Sequence, residues 1–131
     1  RWPGTIPAGA VSNEVGATID ILPTLTALAG ADLPQDLIVD GTDLSTHLAD
    51  PAAPIERTDG YYIFNRTEAV GIRQGDWKYL RHEGIRNADP ETPPELYNLA
   101  EDIAESTNLA ETHPEKVAEL DRLIAAFAES L

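Results

Sequence analysis

Histidine, serine and carboxylate side chains are the groups from which this 131-residue chain could build a reaction centre, and their spacing builds none. His47, His82 and His113 stand far apart, with neither an HExxH pattern nor two histidines one helical turn apart. Ser12, Ser45, Ser106 and Ser130 lack the glycine-flanked elbow that exposes a hydrolase nucleophile. Cysteine is absent, which removes thiolate nucleophiles, thiolate metal sites and disulfides together. No GxGxxG or GxxxxGK[ST] loop offers backbone amides to a phosphate. With 23 acidic residues in the chain, two carboxylates near each other carry no information about acid–base chemistry. Spacing therefore assigns no catalytic residue and no metal ligand. The polar cluster Arg81-His82-Glu83 ends a strand pattern, where side chains emerge into loops and could face a ligand. Solvated strand-end charge is the simpler account of it.

Those side chains need a frame, and Ala69 to Leu80, AVGIRQGDWKYL, supplies its centre. Val70 and Ile72 alternate with Gly71 and Arg73, and Trp77 and Tyr79 flank Lys78, the period-two pattern of half-buried strands. Gln74-Gly75-Asp76 between them reads as the turn of an antiparallel hairpin, since glycine takes positive φ without a Cβ clash. Tyr61, Tyr62, Phe64 and Trp77 concentrate aromatic area here, which puts the main core on this sheet. The sheet region runs from about Arg57 to Leu99, interrupted by a polar loop from Gly84 to Pro94. Asn65-Arg66-Thr67 fits a glycosylation triplet but reads as a hairpin turn.

Helices flank the sheet. Ile21, Leu22, Leu25, Leu28 and Ala29 recur at helical spacing, Gly30 stands where a helix stops, and Asp20 as N-cap leaves Pro23 in the first turn. A short helix over Asp43 to Ala49, capped by Thr42, would carry His47 as an ordinary surface or partly buried histidine. Asp50 to Pro54 is a proline-punctuated connector between two halves. Thr112-His113-Pro114-Glu115 reads as a capping box, with Thr112 and Glu115 exchanging bonds with each other's amides and His113 exposed. Val117, Leu120, Ile124, Phe127 and Leu131 then mark one face of a helix that should lie across the sheet, while Glu119, Asp121, Arg122 and Glu129 face outward.

Composition narrows the partners. Against 23 acidic residues stand 9 basic ones, a net charge of −14 that repels nucleic-acid phosphates and anionic lipid. Neither nucleic acid nor membrane is expected as a partner, and no apolar run approaches the ~18 residues of a membrane-spanning helix. Methionine is absent, so the chain is expected to begin inside a longer gene product.

The order of motifs resembles the C-terminal part of arylsulfatase-type sulfatases, within the alkaline-phosphatase-like superfamily. Arg1-Trp2-Pro3-Gly4 with Ile6 and Gly9 is similar to the family's WPG-x-I-x-x-G passage, and Ile19 to Leu25 with Leu28-Ala29-Gly30 to its DILPTLL…LAG helix. Val39 to Leu44 resembles the DG-x-SL passage, Val70 to Tyr79 the VR-x-G-x-WKL hairpin, and Glu95 to Leu99 with Asn108-Leu109-Ala110 the ELYDL…DPxExxNLA segment. Ile103-Ala104 replaces the family's Asp-Pro, and Asp43 replaces its serine.

The resemblance implies an α+β chain. Residues 1–54 would be the tail of the large α/β sulfatase domain, with a helix at about 20–29 that normally covers a parallel sheet. Residues 55–131 would be a C-terminal subdomain, a four-stranded antiparallel sheet over about 61–99 with a helix at about 113–130 packed on it. The family hydrolyses sulfate esters with a formylglycine made from Cys or Ser in a CxPxR or SxPxR motif, beside a calcium-type divalent metal. These belong to sequence upstream of Arg1, so no catalytic or metal residue and no cofactor is carried over to this chain. Its implied role is that of a C-terminal fragment of a sulfuric ester hydrolase, structural and shaping the pocket rim, inactive alone. Arg81 and His82 are the implied candidates for substrate contact. The implied partner is the remainder of the sulfatase chain or a second copy of this one. Two alternatives stay open: a stand-alone, non-catalytic interaction module, and the C-terminal part of a phosphonate monoester hydrolase or phosphodiesterase relative.

Overall fold

The computed structural model describes residues 1–55, 57, 60–82, 89 and 91–130. The chain divides into two compact units, Arg1–Arg57 and Thr58–Leu131.

The first unit is built around one buried carboxylate. A 3-10 turn, Thr18–Asp20, leads into α1, Ile21–Leu28, and a short α2 spans Ser45–Ala49. Asp20 occupies the N-cap position of α1, but its side chain does not cap the helix. Only 1% exposed, it turns away from α1: Oδ2 accepts from the Ala17 amide at 2.8 Å, and Oδ1 accepts from the Thr42 amide at 2.8 Å. The Arg57 guanidinium also donates to Asp20 Oδ1, and its other arm donates to the Asp40 carbonyl at 3.1 Å. Thr24, also buried, donates to the Asp20 carbonyl at 2.6 Å while its Oγ1 accepts from the Leu44 amide at 2.9 Å. Asp20 and Thr24 thus hold the segment from Asp40 to Leu44 against the start of α1. Gly41 is required there on steric grounds, because a Cβ at that position would lie 2.0 Å from the Ile19 carbonyl oxygen.

The C-terminus of α1 is as the sequence predicts. Gly30 takes φ +65°, its amide donates to the Ala27 carbonyl, and the Ala31 amide donates to the Thr26 carbonyl, which closes a Schellman motif. Helix α2 starts later than its pattern predicts. Asp43, rather than Thr42, serves its start, accepting from the Ser45 amide at 2.8 Å and the Ser45 hydroxyl at 3.0 Å. His47 is half-buried, with Nδ1 2.5 Å from the Ala53 carbonyl oxygen and Nε2 2.8 Å from Ser12 Oγ.

The second unit is an antiparallel meander, β1 (Tyr61–Asn65), β2 (Glu68–Gln74), β3 (Trp77–Leu80) and β4 (Glu95–Asn98), paired in sequence order. Gln74 pairs with Trp77 across a two-residue turn in which Gly75 takes φ +57°. Asn65 pairs with Glu68, and Arg66 takes φ +60° in the turn between them. Between β1 and β2 the register shifts, Ile63 opposing Gly71 and Phe64 opposing Ala69. Val70 is the extra residue of this bulge, and the shift brings both Ala69 and Ile72 into the core.

Helix α3, Pro114–Glu129, packs on β2 and β3. Leu120 and Ile124 meet Ile72, Tyr79 and Leu96, while Val117, Leu123 and Phe127 surround that contact. The Tyr62 ring stacks on Phe127 with centroids 3.8 Å apart. The outermost aromatics of the pattern frame the core rather than fill it, Phe64 remaining 46% exposed. Asp121 accepts from the Tyr79 hydroxyl at 3.3 Å, so it sits at the edge of the helix–sheet contact with its side chain 45% exposed. Leu131 lies outside the described residues. The predicted capping box does not form: His113 is the N-cap and makes no side-chain cap, while Thr112 Oγ1 donates backwards to the Leu109 carbonyl at 3.1 Å.

The outer edge of β4 is closed by Asn108-Leu109-Ala110. Asn108 Oδ1 accepts from the Leu96 amide at 3.0 Å, its Nδ2 donates to the Pro94 carbonyl at 3.0 Å, and the Leu109 amide donates to the Leu96 carbonyl at 2.8 Å. The Asn108 side chain and the Leu109 amide together pair both backbone groups of Leu96, as a fifth strand would.

Candidate functional site

The end of the sheet where β3 stops and β4 begins collects the polar side chains singled out from sequence. Leu80 and Glu95 form the last pair of that ladder, and Arg81 and His82 continue past it. Glu83 lies outside the described residues. Because side chains alternate along a strand, Arg81 and His82 diverge to opposite faces.

Arg81 follows Tyr79 onto the face covered by α3. Its Nη2 donates to the Ala69 carbonyl at 3.0 Å and its Nη1 lies 3.5 Å from Asp121 Oδ1. His82 follows Lys78 and Leu80 onto the other face, where its Nε2 lies 3.0 Å from Glu95 Oε1. The second oxygen of Glu95 accepts from the Tyr97 hydroxyl at 2.9 Å. Burial of Tyr97 first, and this bond next, push its hydroxyl above the ordinary phenolic value. Beside them Lys78 Nζ sits 2.7 Å from both oxygens of Glu105, a residue held at φ +55°. Neither Glu95 nor Tyr97 is marked by its own spacing. They are found only once β3 and β4 are in register.

Among the described residues, no group of three or more His, Cys, Asp or Glu comes together to hold a metal ion. With no cysteine in the sequence and no serine in an SxPxR motif, the chain also offers no precursor for a formylglycine. The residues present here do not fit either group.

No protein-family model matches the chain. Individual relatives do. Bovine arylsulfatase A is 34% identical over 136 residues, covering 90% of this chain and 26% of that enzyme. Human arylsulfatase G is 31% identical over 146 residues, covering 99% of this chain and 27% of that enzyme. The chain belongs to the sulfatase family.

It corresponds to the C-terminal part of a sulfatase and spans about a quarter of the length of the relatives it matches. An N-acetylgalactosamine-6-O-sulfatase of Bacteroides thetaiotaomicron is 30% identical over 135 residues, 95% of this chain. A solved protein from a glycosaminoglycan-metabolism locus of the same organism superposes with a TM-score of 0.77 at 27% identity, over 98% of this chain and 28% of its own. A Pseudoalteromonas sulfatase shares the fold at a TM-score of 0.77. Kinship with sulfatases implies the family's metal and formylglycine for the family's complete enzymes.

Proposed function

We propose that this sulfatase segment serves the hydrolysis of a sulfate ester without housing the reacting groups: it braces the catalytic domain and shapes the rim of the substrate pocket. One observation carries this reading. At the N-cap and in the first turn of α1 the polar residues Asp20 and Thr24 are buried, while Ile21, Leu22 and Leu25 are 56%, 58% and 60% exposed. A helix that hides its carboxylate and shows its leucines has its apolar side made for another surface. The remainder of the sulfatase polypeptide is the surface that fits, since about three-quarters of the relatives' length lies outside this chain. Of the two candidates where β3 ends, His82 is the residue that would reach the substrate, since the Arg81 guanidinium is held on the α3 face by the Ala69 carbonyl and Asp121.

The reading is tested by supplying the remaining sulfatase polypeptide as a separate chain and measuring hydrolysis of 4-nitrophenyl sulfate. Turnover is expected from the two together and from neither alone. Hydrolysis by this chain alone, above a heat-treated control, would overturn it.

A further inference from the structure

Of the two cationic candidates at the sheet end, Arg81 is spent within the fold, its guanidinium taken up by the Ala69 carbonyl and Asp121 on the α3 face. His82 is different. Among the described residues, Glu95 engages its Nε2 and no hydrogen bond to its Nδ1 is formed. Resting on the pocket-rim reading above, we propose that Glu95 and Tyr97 are positioning residues that clamp His82 by Nε2 and so present its Nδ1 to an anionic oxygen of the sulfate ester.

Three features of the arrangement point this way. Lys78 pairs with Tyr97 and Leu80 with Glu95 across the ladder, so Tyr97, Glu95 and His82 follow one another along a single face towards the sheet end. Tyr97 is the fixed point, 8% exposed and seated within β4. Its hydroxyl holds one oxygen of Glu95, which leaves the other aimed at His82. The half-buried His82 and Glu95 are thereby tied to the buried Tyr97, as a group that must hold a set orientation requires. Finally, Glu105 occupies Lys78 with both oxygens, so the ammonium does not draw Glu95 away from the ring.

The chemistry follows from the tautomer. With Nε2–H donating to a carboxylate, the neutral ring carries its lone pair at Nδ1, and the protonated ring carries a second N–H there. That N–H is directed away from Glu95 and is the donor offered to an anion. In a chain of net charge −14, such a donor offers an anionic ester a local point of attraction.

The test has two arms. In the 15N-labelled chain, the His82 ring, assigned by its loss in His82→Gln, should show the Nε2–H tautomer. Glu95→Ala should abolish that preference, and Tyr97→Phe should weaken it while the backbone spectrum stays dispersed. A wild-type ring with the same tautomer mixture as Glu95→Ala overturns the clamp. In the enzyme assembled with the remaining polypeptide, Glu95→Ala and His82→Ala should each raise KM for 4-nitrophenyl sulfate at least fivefold, and the double variant no further than His82→Ala. Independent, multiplying effects overturn the positioning role while the sulfatase reading stands. An assembled wild-type enzyme that leaves sulfate esters intact sinks the reading itself, whatever the ring spectrum shows.

Discussion

A carboxylate as buried as Asp20 is costly to desolvate unless its oxygens are hydrogen-bonded, and here two backbone amides and a guanidinium donate to them. Removing one side of such a pair leaves the other charge in a site shaped for it, so Asp20→Ala should destabilise the chain by about 3–5 kcal/mol in urea unfolding. A loss below about 1 kcal/mol would mean that the site admits water and that Asp20 is an ordinary surface acid. Tyr97 gives a second residue-level expectation, one with a sign in pH. Its folded hydroxyl holds its proton more tightly than the unfolded chain's, whose ordinary value is 10.0. The contribution is therefore intact below that unfolded value and is lost as pH rises through the folded one. The stability difference between wild type and Tyr97→Phe should hold steady below pH 10.0 and shrink as pH rises above it. A difference that stays constant there too would show that the hydroxyl is not held.

Helix α3 shows what patterning can and cannot specify about an element. Apolar spacing placed Leu120 and Ile124 in the core, where both are 0% exposed, because a helix face is fixed by period alone. Ile124→Ala should cost about 2–5 kcal/mol. The start of the helix was legible only as a position. Thr112 has the residue type of a cap, but its hydroxyl has a competing acceptor three residues back at Leu109, and that local bond forms instead. Thr112→Ala is accordingly expected to change stability by less than about 0.5 kcal/mol, where a working cap would cost about 1. Thermal melts of the two variants side by side decide it. The same limit applies to the sheet. The hairpin at Gly75 is readable because a glycine marks the turn, but a turn over Gln74 to Asp76 would set Ile72 opposite Lys78, and the observed two-residue turn pairs it with Tyr79 instead. Between Leu80 and Glu95 no such short turn exists, so the register that joins His82 to Glu95 had no local signal. Asp20 was misread for a related reason: its partners at Thr42 and Arg57 are 22 and 37 residues away.

At the scale of the whole molecule, this chain combines a heavy negative charge with an uncovered apolar helix, and the two have opposite consequences. Charge of −14 keeps copies apart, so the exposed leucines of α1 are not by themselves a recipe for precipitation. They are free to be covered by a surface that fits them. Leu22 and Leu25 contribute little to the chain's own core, at 58% and 60% exposed, so Leu22→Gln with Leu25→Gln should leave its unfolding midpoint within a few degrees of wild type, as surface changes do. Assembly with the remaining sulfatase polypeptide should suffer far more. Each leucine fully covered at that contact contributes about 1.5 kcal/mol or more, so the pair should weaken association at least a hundredfold, read as the concentration of this chain needed to restore aryl sulfate hydrolysis. Two results would count against a surface made for the rest of the enzyme: a double variant that restores activity at wild-type concentrations, or one that unfolds on its own. The first would leave α1 outside the contact, and the second would make its leucines part of this chain's core.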